Sequence, residues 1–434
     1  MQKSIGIHEK PPLLASLLLS LQHLFAMFGS TVLVPNIFGI DPSICLLMNG
    51  IGTLLYILVT KGQIPAYLGS SFAFLGPGGA VIASEASGGG YAAALGGFIA
   101  AGVIFTVLAF IIQKTGTKWL DVVFPPAAMG AIVAIIGLEL VPVAARMSGF
   151  IHDPNSGIDP AVWTMDKDVV LLSTSTLAVT VLGSVLFRGF LRIIPILFGI
   201  LFGYVLAAAM GLTDFSKVEA AKLAQLPTFT LPEFHWTAII AIAPAALVVI
   251  AEHIGHLIVT GNIVGKDLSK DPGLHRSMLG NGLSTILSGF VGSTPNTTYG
   301  ENIGVLAITK VYSTFVIGGA AVIAILLSFS GKFSALISGI PVPVMGGVSL
   351  LLFGVIAASG LRMLVESKVD YGRPTNLFLT TVVLVIGLSG VKLTIGDVSF
   401  SGMALATIVA ILLSLLFKLF EVLRISNDNE AAGH

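Results

Sequence analysis

The sequence predicts an all-α polytopic membrane protein with fourteen transmembrane segments, arranged as two inverted repeats of seven. Three observations predict this fold class: the apolar composition, the distribution of Lys and Arg between loops, and a weak internal repeat. Of the 434 residues, 55% are hydrophobic, mean hydropathy is +0.97 and charged residues make up 10%, against about 25% in soluble domains. A chain this apolar cannot cover a water-facing surface, so we expect it in a lipid bilayer.

Apolar runs that are long enough, or nearly long enough, to cross a bilayer follow one another along the chain. They lie at 13–35, 43–60, 91–113, 119–143, 168–187, 190–211, 236–263, 276–291, 311–330, 333–357, 374–391 and 398–420. Two further stretches, 64–83 and 292–309, are hydrophobic but interrupted by Gly, Pro, Ser and Thr. Counting these two as broken segments, the third and the tenth, gives fourteen.

The charges in the loops support the same count. With the N-terminus in the cytoplasm, sixteen of the 22 Lys and Arg residues fall on the cytoplasmic side and six fall outside, as the positive-inside rule requires. Leaving out either broken segment would reverse every later loop and remove this bias. The sequence therefore predicts fourteen segments with both termini in the cytoplasm.

Four short motifs of the first half recur in the same order in the second half. They are Gln22-His23 with Glu252-His253, NGIGTLL from Asn49 with NGLSTIL from Asn281, Gly69-Ser70-Ser71 with Gly292-Ser293-Thr294, and the spaced set Pro125, Met129, Gly130 with Pro341, Met345, Gly346. Each repeat has an odd number of segments, seven, so the second copy enters the membrane from the opposite face. Such inverted repeats are the common plan of secondary transporters, and paired interruptions point to a substrate site near the midplane.

Composition also excludes several classes of protein. Lys plus Arg and Asp plus Glu both total 22, so the net charge gives no sign of a nucleic-acid partner. The single cysteine, Cys45, excludes an intramolecular disulfide bond. The polar start MQKSIGIHEKPP does not have the pattern of a signal peptide.

The second broken segment contains the stretch GSTPNTTYGENIGVLAITK. Non-helical backbone persists at membrane depth only where it is buried in protein or lines a cavity. Glu301 follows Tyr299 and Gly300 and opens a half-helix, whose free N–H groups and positive dipole end would lie inside the membrane. At the matching break in the first repeat, Ser71 and Phe72 supply a backbone N–H and an aromatic ring. The alternatives are that Glu301 only caps its helix and that Phe72 only packs in the core.

Glu252 lies in the middle of the eighth segment, where a charged carboxylate costs ~2.5–3.5 kcal/mol on insertion scales. His256 is four residues further on and therefore shares its helical face. Because histidine titrates near neutral pH, this pair could hold or pass a proton. The alternatives are a protonated Glu252 bonded to a neighbouring helix and a neutral His256 that only packs; for His253 we favour packing.

The motif EHIGH does not match a metal site. Zincins use HExxH, with both histidines on one helical face and the glutamate as base, whereas here the glutamate comes first and the histidines are three apart. We therefore expect no metal, no other cofactor and no enzymatic activity.

Two carboxylates, backbone N–H donors and one or two aromatic faces suit a small planar ligand with both N–H donors and C=O acceptors on its edges. Uracil-like and xanthine-like rings have this pattern. A simple anion would be a poor guest for two buried carboxylates.

The motifs resemble those of a known family. ENIG from Glu301, followed after four residues by Thr309-Lys310, resembles the signature of the nucleobase–ascorbate transporter family. Gln22-His23 in the first segment and Glu252 in the eighth also match, and the resemblance runs from about residue 8 to 424. The stretches EHIGH, GSTPNTTYGENIGV and AYLGSSFAF are most similar to the bacterial members that carry uracil.

The resemblance implies a division into two domains. Segments 1–4 (13–113) and 8–11 (236–330) would form a core domain, and segments 5–7 (118–212) and 12–14 (333–422) a gate domain. Segments 3 and 10 would pair as short antiparallel strands, each followed by its half-helix. Members of this family are often homodimers.

The resemblance also implies proton-coupled nucleobase import across the bacterial cytoplasmic membrane by alternating access, driven by the proton-motive force. By carry-over, Glu252 and Glu301 grip the base, backbone N–H groups at Phe72 and Gly300 assist, and His256 joins the proton network. Ser71 and Tyr299 would flank the pocket, and Ser30 would face it. Purine-carrying members have Gln in place of Glu301 and an acid in place of His256, so this chain favours uracil.

Three other hypotheses remain at this point. The chain could be a proton symporter for xanthine or another purine. It could be an intramembrane metal-dependent enzyme that uses Glu252, His253 and His256. It could also be an anion transporter or channel of the same inverted architecture, against which the two carboxylates argue.

Overall fold

The computed structural model describes residues 4–84, 89–154, 157–396 and 398–426. These ranges are mostly helical. The helices are α1 (Leu13–Ala26), α2 (Phe28–Phe38), α3 (Pro42–Val59), α4 (Leu75–Ile82), α5 (Gly90–Thr115), α6 (Leu120–Val123), α7 (Pro126–Met147), α8 (Lys167–Leu186), α9 (Pro195–Ala209), α10 (Ser216–Ala220), α11 (Trp236–Val264), α12 (Leu274–Val291), α13 (Gly300–Thr309), α14 (Thr314–Ser328), α15 (Gly331–Ser338), α16 (Val342–Glu366), α17 (Pro374–Leu388) and α18 (Gly402–Val422).

Within the described ranges, seven helices are long and apolar enough to cross a membrane, or up to nine if each of two bent helix pairs is one span. The seven are α3, α5, α7, α8, α11, α16 and α18. The bent pairs are α1 with α2, at 41°, and α14 with α15, at 90°. The chain is therefore a multi-pass membrane protein.

Each of the two broken segments contains a short strand followed by a helix. Strand β1 (Leu68–Ser70) precedes a 3₁₀ turn, Phe72–Phe74, and then α4. Strand β2 (Asn296–Thr298) leads directly into α13. The strands pair antiparallel, with Gly69 opposite Thr297, which is the arrangement that the sequence comparison with the family implied.

Side chains complete the hydrogen bonding of these strands. Thr53 Oγ1 accepts the N–H of Leu68 at 2.9 Å, and Thr285 Oγ1 donates to the carbonyl of Asn296 at 3.0 Å. The Ser71 N–H reaches the carbonyl of Pro295 at 2.9 Å, just beyond the strand pair. Polar groups of non-helical backbone are thus satisfied within the protein, as a membrane interior requires.

The most extensive helix contacts form a regular set. Helix α7 packs along α16, α5 along α12 and α3 along α14. Further large contacts join six pairs of helices: α11 with α5, α1 with α14, α8 with α16, α17 with α7, α8 with α9, and α17 with α18. Close approach of α7 and α16 depends on small residues, because a Cβ added at Gly360 would lie 2.6 Å from the carbonyl oxygen of Gly130.

Several sequence-predicted segment limits are wrong. The predicted span 333–357 is not one helix, since the chain ends α15 at Ser338 and begins α16 at Val342. Pro341 explains the break: proline disfavours helix in the residue before it and suits a helix start. The predicted span 398–420 begins as a strand, because β3 (Lys392–Ile395) and β4 (Val398–Ser401) form an unexpected hairpin before α18.

Asp41 joins three separate parts of the chain. Its carboxylate accepts hydrogen bonds from the Ser43 N–H at 2.9 Å, from the Ser334 hydroxyl at 2.7 Å and from the Thr228 N–H at 3.1 Å. It therefore caps α3 while also holding α15 and the stretch before α11. Partial burial alone would raise the pKa of Asp41, but the hydrogen bonds from Ser334, Ser43 and Thr228 together hold it below its usual value.

We predict that Asp41→Ala lowers the free energy of unfolding by about 1–2 kcal/mol at pH 7, through loss of the cap and of two further hydrogen bonds. Because the folded-state pKa is depressed, this contribution is present above the unfolded pKa of about 3.9 and is lost as pH falls below it. Thermal unfolding of both proteins at pH 7 and pH 3.5 tests this. The difference in unfolding midpoint between the unmodified protein and Asp41→Ala should be smaller at pH 3.5 than at pH 7. A difference that does not change with pH would contradict the role of the carboxylate.

Candidate functional site

Four elements bring the sequence-predicted site residues together. Glu301 is in the first turn of α13, directly after β2. Ser30 lies in α2, and Glu252 and His256 lie one turn apart in α11. Phe72 begins the 3₁₀ turn after β1. Helix α11 contacts both this 3₁₀ turn and α13, so it connects the two broken segments.

The two carboxylates belong to helices that pack against each other, α11 and α13. The Ser30 hydroxyl donates a hydrogen bond to Oε1 of Glu301 at 2.6 Å. Both glutamates are partly buried, whereas Gly300 beside Glu301 is exposed.

His256 lies over the start of α13. A Cβ added to Gly300 would be 3.3 Å from Nε2 of His256. The other ring nitrogen, Nδ1, is 3.2 Å from the hydroxyl of Thr298, the last residue of β2. Glu252, His256 and Glu301, predicted from sequence as one group, are therefore neighbours across α11 and α13.

The starts of both half-helices are polar but uncapped. Among the described residues, no side chain caps the 3₁₀ turn at Phe72 or helix α13. The free N–H groups of a helix start, together with the helix dipole, form a site for an electron-rich atom. The first-turn N–H groups at Phe72 and Gly300 can therefore bind carbonyl oxygens of a ligand.

Phe72, Ser71 and Tyr299 form the more deeply buried side of the site. The Phe72 ring makes an edge contact with Phe353 of α16, with centroids 5.7 Å apart. The Tyr299 hydroxyl donates to the carbonyl of Ser70 at 3.1 Å and so connects the two broken segments. Within the described chain, the buried Ser71 hydroxyl has no hydrogen-bond partner, which leaves it able to bond a ligand.

Sequence reasoning missed the role of Asn302. Its side-chain oxygen is 2.8 Å from Nδ1 of His23 in α1, and its nitrogen donates to the carbonyl of Pro65 at 3.4 Å. Asn302 therefore fixes α13 against the first segment and the stretch before β1. The signal was present, because Asn302 belongs to the ENIG motif and His23 to the Gln22-His23 pair.

Other polar residues have structural positions. The sequence predicts a structural role for Glu139, near the outer end of its span; the structure shows that its carboxylate accepts the N–H of Met403 at 2.8 Å and so caps α18. In the part of the chain that the structure describes, no group of three or more His, Cys, Asp or Glu residues is arranged to hold a metal ion. A cavity of about 310 Å³ between α6, α17 and α18 is lined by Asp121, Arg373 and Lys418 among others, and by neither Glu252 nor Glu301.

A membrane helix assembly with polar residues at two broken segments is in keeping with a transporter, and comparison with known proteins gives the family. The family model described as "Permease family" matches residues 14–396. The chain belongs to this permease family and is therefore a membrane transporter rather than an enzyme.

Similar proteins extend over nearly the whole chain. "Uracil permease" of Escherichia coli (strain K12) is 63% identical over 423 residues, which are 98% of this chain and 96% of that protein. "Uracil permease" of Bacillus subtilis (strain 168) is 47% identical over 421 residues, 95% of each chain. "Putative pyrimidine permease RutG" of Escherichia coli (strain K12) is 41% identical over 422 residues, 94% of this chain and 91% of that protein.

Two solved structures share the fold at low sequence identity. SLC26A9 has a TM-score of 0.68 at 12% identity, covering 94% of this chain and 66% of that chain. The transmembrane domain of a cyanobacterium bicarbonate transporter, BicA, has a TM-score of 0.60 at 16% identity, covering 96% of this chain and 99% of that chain. At these identities the likeness concerns the fold alone.

We predict that Gly69→Ala destabilises the site by about 1–3 kcal/mol, the usual cost of overpacking. A Cβ at Gly69 would lie 2.5 Å from the Tyr299 hydroxyl oxygen and even closer to its ring, so the ring must move and the Tyr299–Ser70 bond must break. The control is Gly79→Ala in the same broken segment, where an added Cβ meets nothing within 4 Å. Thermal unfolding measures both, and equal midpoints for the two variants would contradict the tight contact.

Proposed function

We propose that this chain is a proton–uracil symporter, which imports uracil by alternating access and uses the proton-motive force. The substrate is inferred from two lines of support. Relatives at 47–63% identity over nearly the full chain are named uracil permeases. The side chains gathered at the start of α13 also match the hydrogen-bonding edges of uracil.

The observation that carries the proposal is the position of Glu301, beside Glu252 and at the uncapped start of α13. Uracil has two ring N–H donors and two carbonyl acceptors. The carboxylates of Glu252 and Glu301 would accept from the N–H groups, while first-turn N–H groups at Phe72 and Gly300 would donate to the carbonyls. The Phe72 ring would lie against the planar base, and Ser30 would hold the Glu301 carboxylate in place through its 2.6 Å hydrogen bond.

The same pair of carboxylates supports proton coupling. Two negative charges on packed helices are unfavourable in a partly buried site, so we propose that one proton must bind before uracil does. His256, one turn from Glu252 and next to Gly300, is the group that would exchange this proton. A neutral ligand and one neutralised carboxyl would then cross together.

Alternating access requires two bodies that move against each other. We propose a core domain of 13–113 and 236–330 and a gate domain of 118–212 and 333–422. The helix packing supports this division, because the largest contacts lie within one group or the other. The contact of Phe72 with Phe353 would then join core to gate beside the substrate.

The packing also supports fourteen segments in two inverted repeats. The helices of the first half have counterparts in the second half: α1 matches α11, α3 matches α12, α5 matches α14, α7 matches α16, α8 matches α17 and α9 matches α18. Replacing each helix by its counterpart turns the α3–α14 contact into α12–α5, α11–α5 into α1–α14, and α8–α16 into α17–α7. The α8–α9 contact likewise becomes α17–α18, and α7–α16 becomes itself. A duplication with opposite orientation explains why the contacts occur in such pairs.

The proposed location is the bacterial cytoplasmic membrane, with the N-terminus inside; the C-terminus, also expected inside, lies outside the described residues. Ile5 pairs with the stretch after α13, where its N–H donates to the Lys310 carbonyl at 2.9 Å. This contact puts the N-terminal segment on a Lys-containing face, in keeping with the positive-inside rule. A homodimer is part of the proposal and can be tested by cross-linking in membranes.

We predict that Glu252→Gln and Glu301→Gln each raise the Kd for uracil. The rise should be about 10–100-fold for the carboxylate that stays charged, because a hydrogen bond to a charged group is worth about 1.5–3 kcal/mol, and smaller for the carboxyl that holds the proton. Both should abolish accumulation in proteoliposomes under an inward proton gradient. The matched control is Glu139→Gln. Glu139 is another carboxyl in a membrane helix, but it caps α18, so the protein with this substitution should accumulate uracil normally. Calorimetry and radiolabelled uptake measure the two effects.

Three outcomes would contradict the proposal. Normal accumulation by either site variant would remove the carboxylates from the mechanism. Uptake by the unmodified protein that ignores the external pH would remove proton coupling. Binding of xanthine at concentrations where uracil does not bind would replace the substrate.

A further inference from the structure

A chain of hydrogen bonds leads away from His256 through four other residues. Nδ1 of His256 is 3.2 Å from the Thr298 hydroxyl, which is 3.4 Å from Nδ1 of His253. Nε2 of His253 is 2.8 Å from the Ser277 hydroxyl, and this oxygen is 2.6 Å from the Tyr56 hydroxyl. The sequence predicted only packing for His253, but its ring bonds through both nitrogens.

The members of this hydrogen-bond chain are polar side chains that are almost completely buried. His253 and Thr298 are 1% and 4% exposed, and Ser277 and Tyr56 are fully buried. Polar groups in such surroundings are unfavourable unless they are hydrogen-bonded. Every member is also able to accept a proton and to release one, because each is an imidazole or a hydroxyl. A purely structural clamp does not require this property at every link.

The two ends of this hydrogen-bond chain face different surroundings. At the first end, Nε2 of His256 lies next to Gly300 at the start of α13. At the other end, Tyr56 is in the last turn of α3, which ends at Val59. Ser277 is in the first turn of α12, and the neighbouring Arg276 donates to the Val59 carbonyl at 3.4 Å. The chain thus runs from the candidate site to the loops that we assign to the cytoplasmic face.

A small cavity accompanies these residues. Its volume is about 10 Å³, and its lining includes all five members of the chain together with Thr260. This volume is at the lower limit for one water molecule, and apolar side chains such as Ile64 and Ile303 also line it.

We infer that this chain is the path by which the transported proton leaves His256 for the cytoplasm. The inference rests on the proposed function and on the proposed orientation. It gives His253, Thr298, Ser277 and Tyr56 a role in proton release that is separate from substrate binding.

The proton steps balance along the path. His256 receives a proton at Nε2 and releases one from Nδ1 to the Thr298 hydroxyl, which passes its own proton to Nδ1 of His253. His253 releases a proton from Nε2 to Ser277, which passes one to Tyr56. The Tyr56 hydroxyl is fully buried in this structure, so it would release its proton to water when the cytoplasmic side opens during alternating access. One proton enters and one leaves. Before the next proton, each hydroxyl rotates and each imidazole, now protonated on its other nitrogen, returns to its first tautomer.

Other titratable groups lie near the two ends. Glu252 and Glu301 are at the His256 end. Near the Tyr56 end, His275 and Arg276 are partly buried and Asp271 is exposed. These groups can also change how uracil uptake depends on pH. The pH profile of uptake by a variant in the hydrogen-bond chain therefore has to be compared with that of a variant that loses a hydroxyl elsewhere in the protein.

The test uses Tyr56→Phe and Ser277→Ala in proteoliposomes that contain a pH-sensitive dye. Three quantities are measured: uracil binding, net uracil uptake with its proton influx, and exchange of internal for external uracil, which needs no net proton release. Tyr91→Phe is the matched control, since within the described chain the Tyr91 hydroxyl is buried without a partner. Ser277→Thr, which keeps a hydroxyl, is the conservative variant.

We expect Tyr56→Phe and Ser277→Ala to bind and exchange uracil normally, while net uptake and proton influx fall by about tenfold or more and the pH profile shifts. Ser277→Thr should restore net uptake. Net uptake equal to that of Tyr91→Phe would overturn the inference, and so would parallel loss of exchange and uptake with a lower unfolding midpoint. Absence of uracil-linked proton influx in the unmodified protein would overturn the proposed function instead, so the two failures are distinguishable.

Discussion

The structure depends on one constraint: backbone that is not helical must still be hydrogen-bonded inside a membrane. The antiparallel pair of β1 and β2 meets it, with Thr53 and Thr285 bonding the strand ends. Because the strands satisfy each other, two helices can begin in the interior of the protein with free N–H groups. The candidate site is a consequence of this arrangement, since Glu301 and Phe72 follow directly on the strands.

The same fold accommodates different functions. SLC26A9 and the transmembrane domain of the bicarbonate transporter BicA share it at 12% and 16% identity. A helix start in the membrane attracts negative charge, so side chains must decide what binds there. In this chain Glu252 and Glu301 supply carboxylates at that place, and the proposed function uses them to bind a neutral ligand with N–H donors together with a proton. The proposed path beyond His256 completes that proposal, because a proton that enters with the substrate must also leave.

The sequence predicted the parts of the structure that have local signatures. Gly, Pro and Thr interruptions marked both broken segments, and the spacing of Glu252 and His256 placed them on one helical face. Contacts between distant residues left weaker signals. His23 and Asn302 each belong to a recognisable motif, but nothing in the sequence pairs them, and the bond of Asp41 with Ser334 likewise joins positions far apart in the chain. Helix α15 was assigned to a span because its hydrophobicity resembles that of a membrane segment, and only the proline break shows otherwise. His253 was expected to pack, since its partners Ser277 and Thr298 lie on other elements.

The most direct test of this account is a cryo-electron microscopy structure of the protein in lipid nanodiscs with bound uracil. The account predicts uracil between Glu252 and Glu301, with ring N–H groups on the carboxylates, carbonyl oxygens on the first-turn N–H groups of the half-helices, and its face against Phe72. Uracil bound elsewhere, for example in the cavity between α6, α17 and α18 and away from both carboxylates, would contradict it.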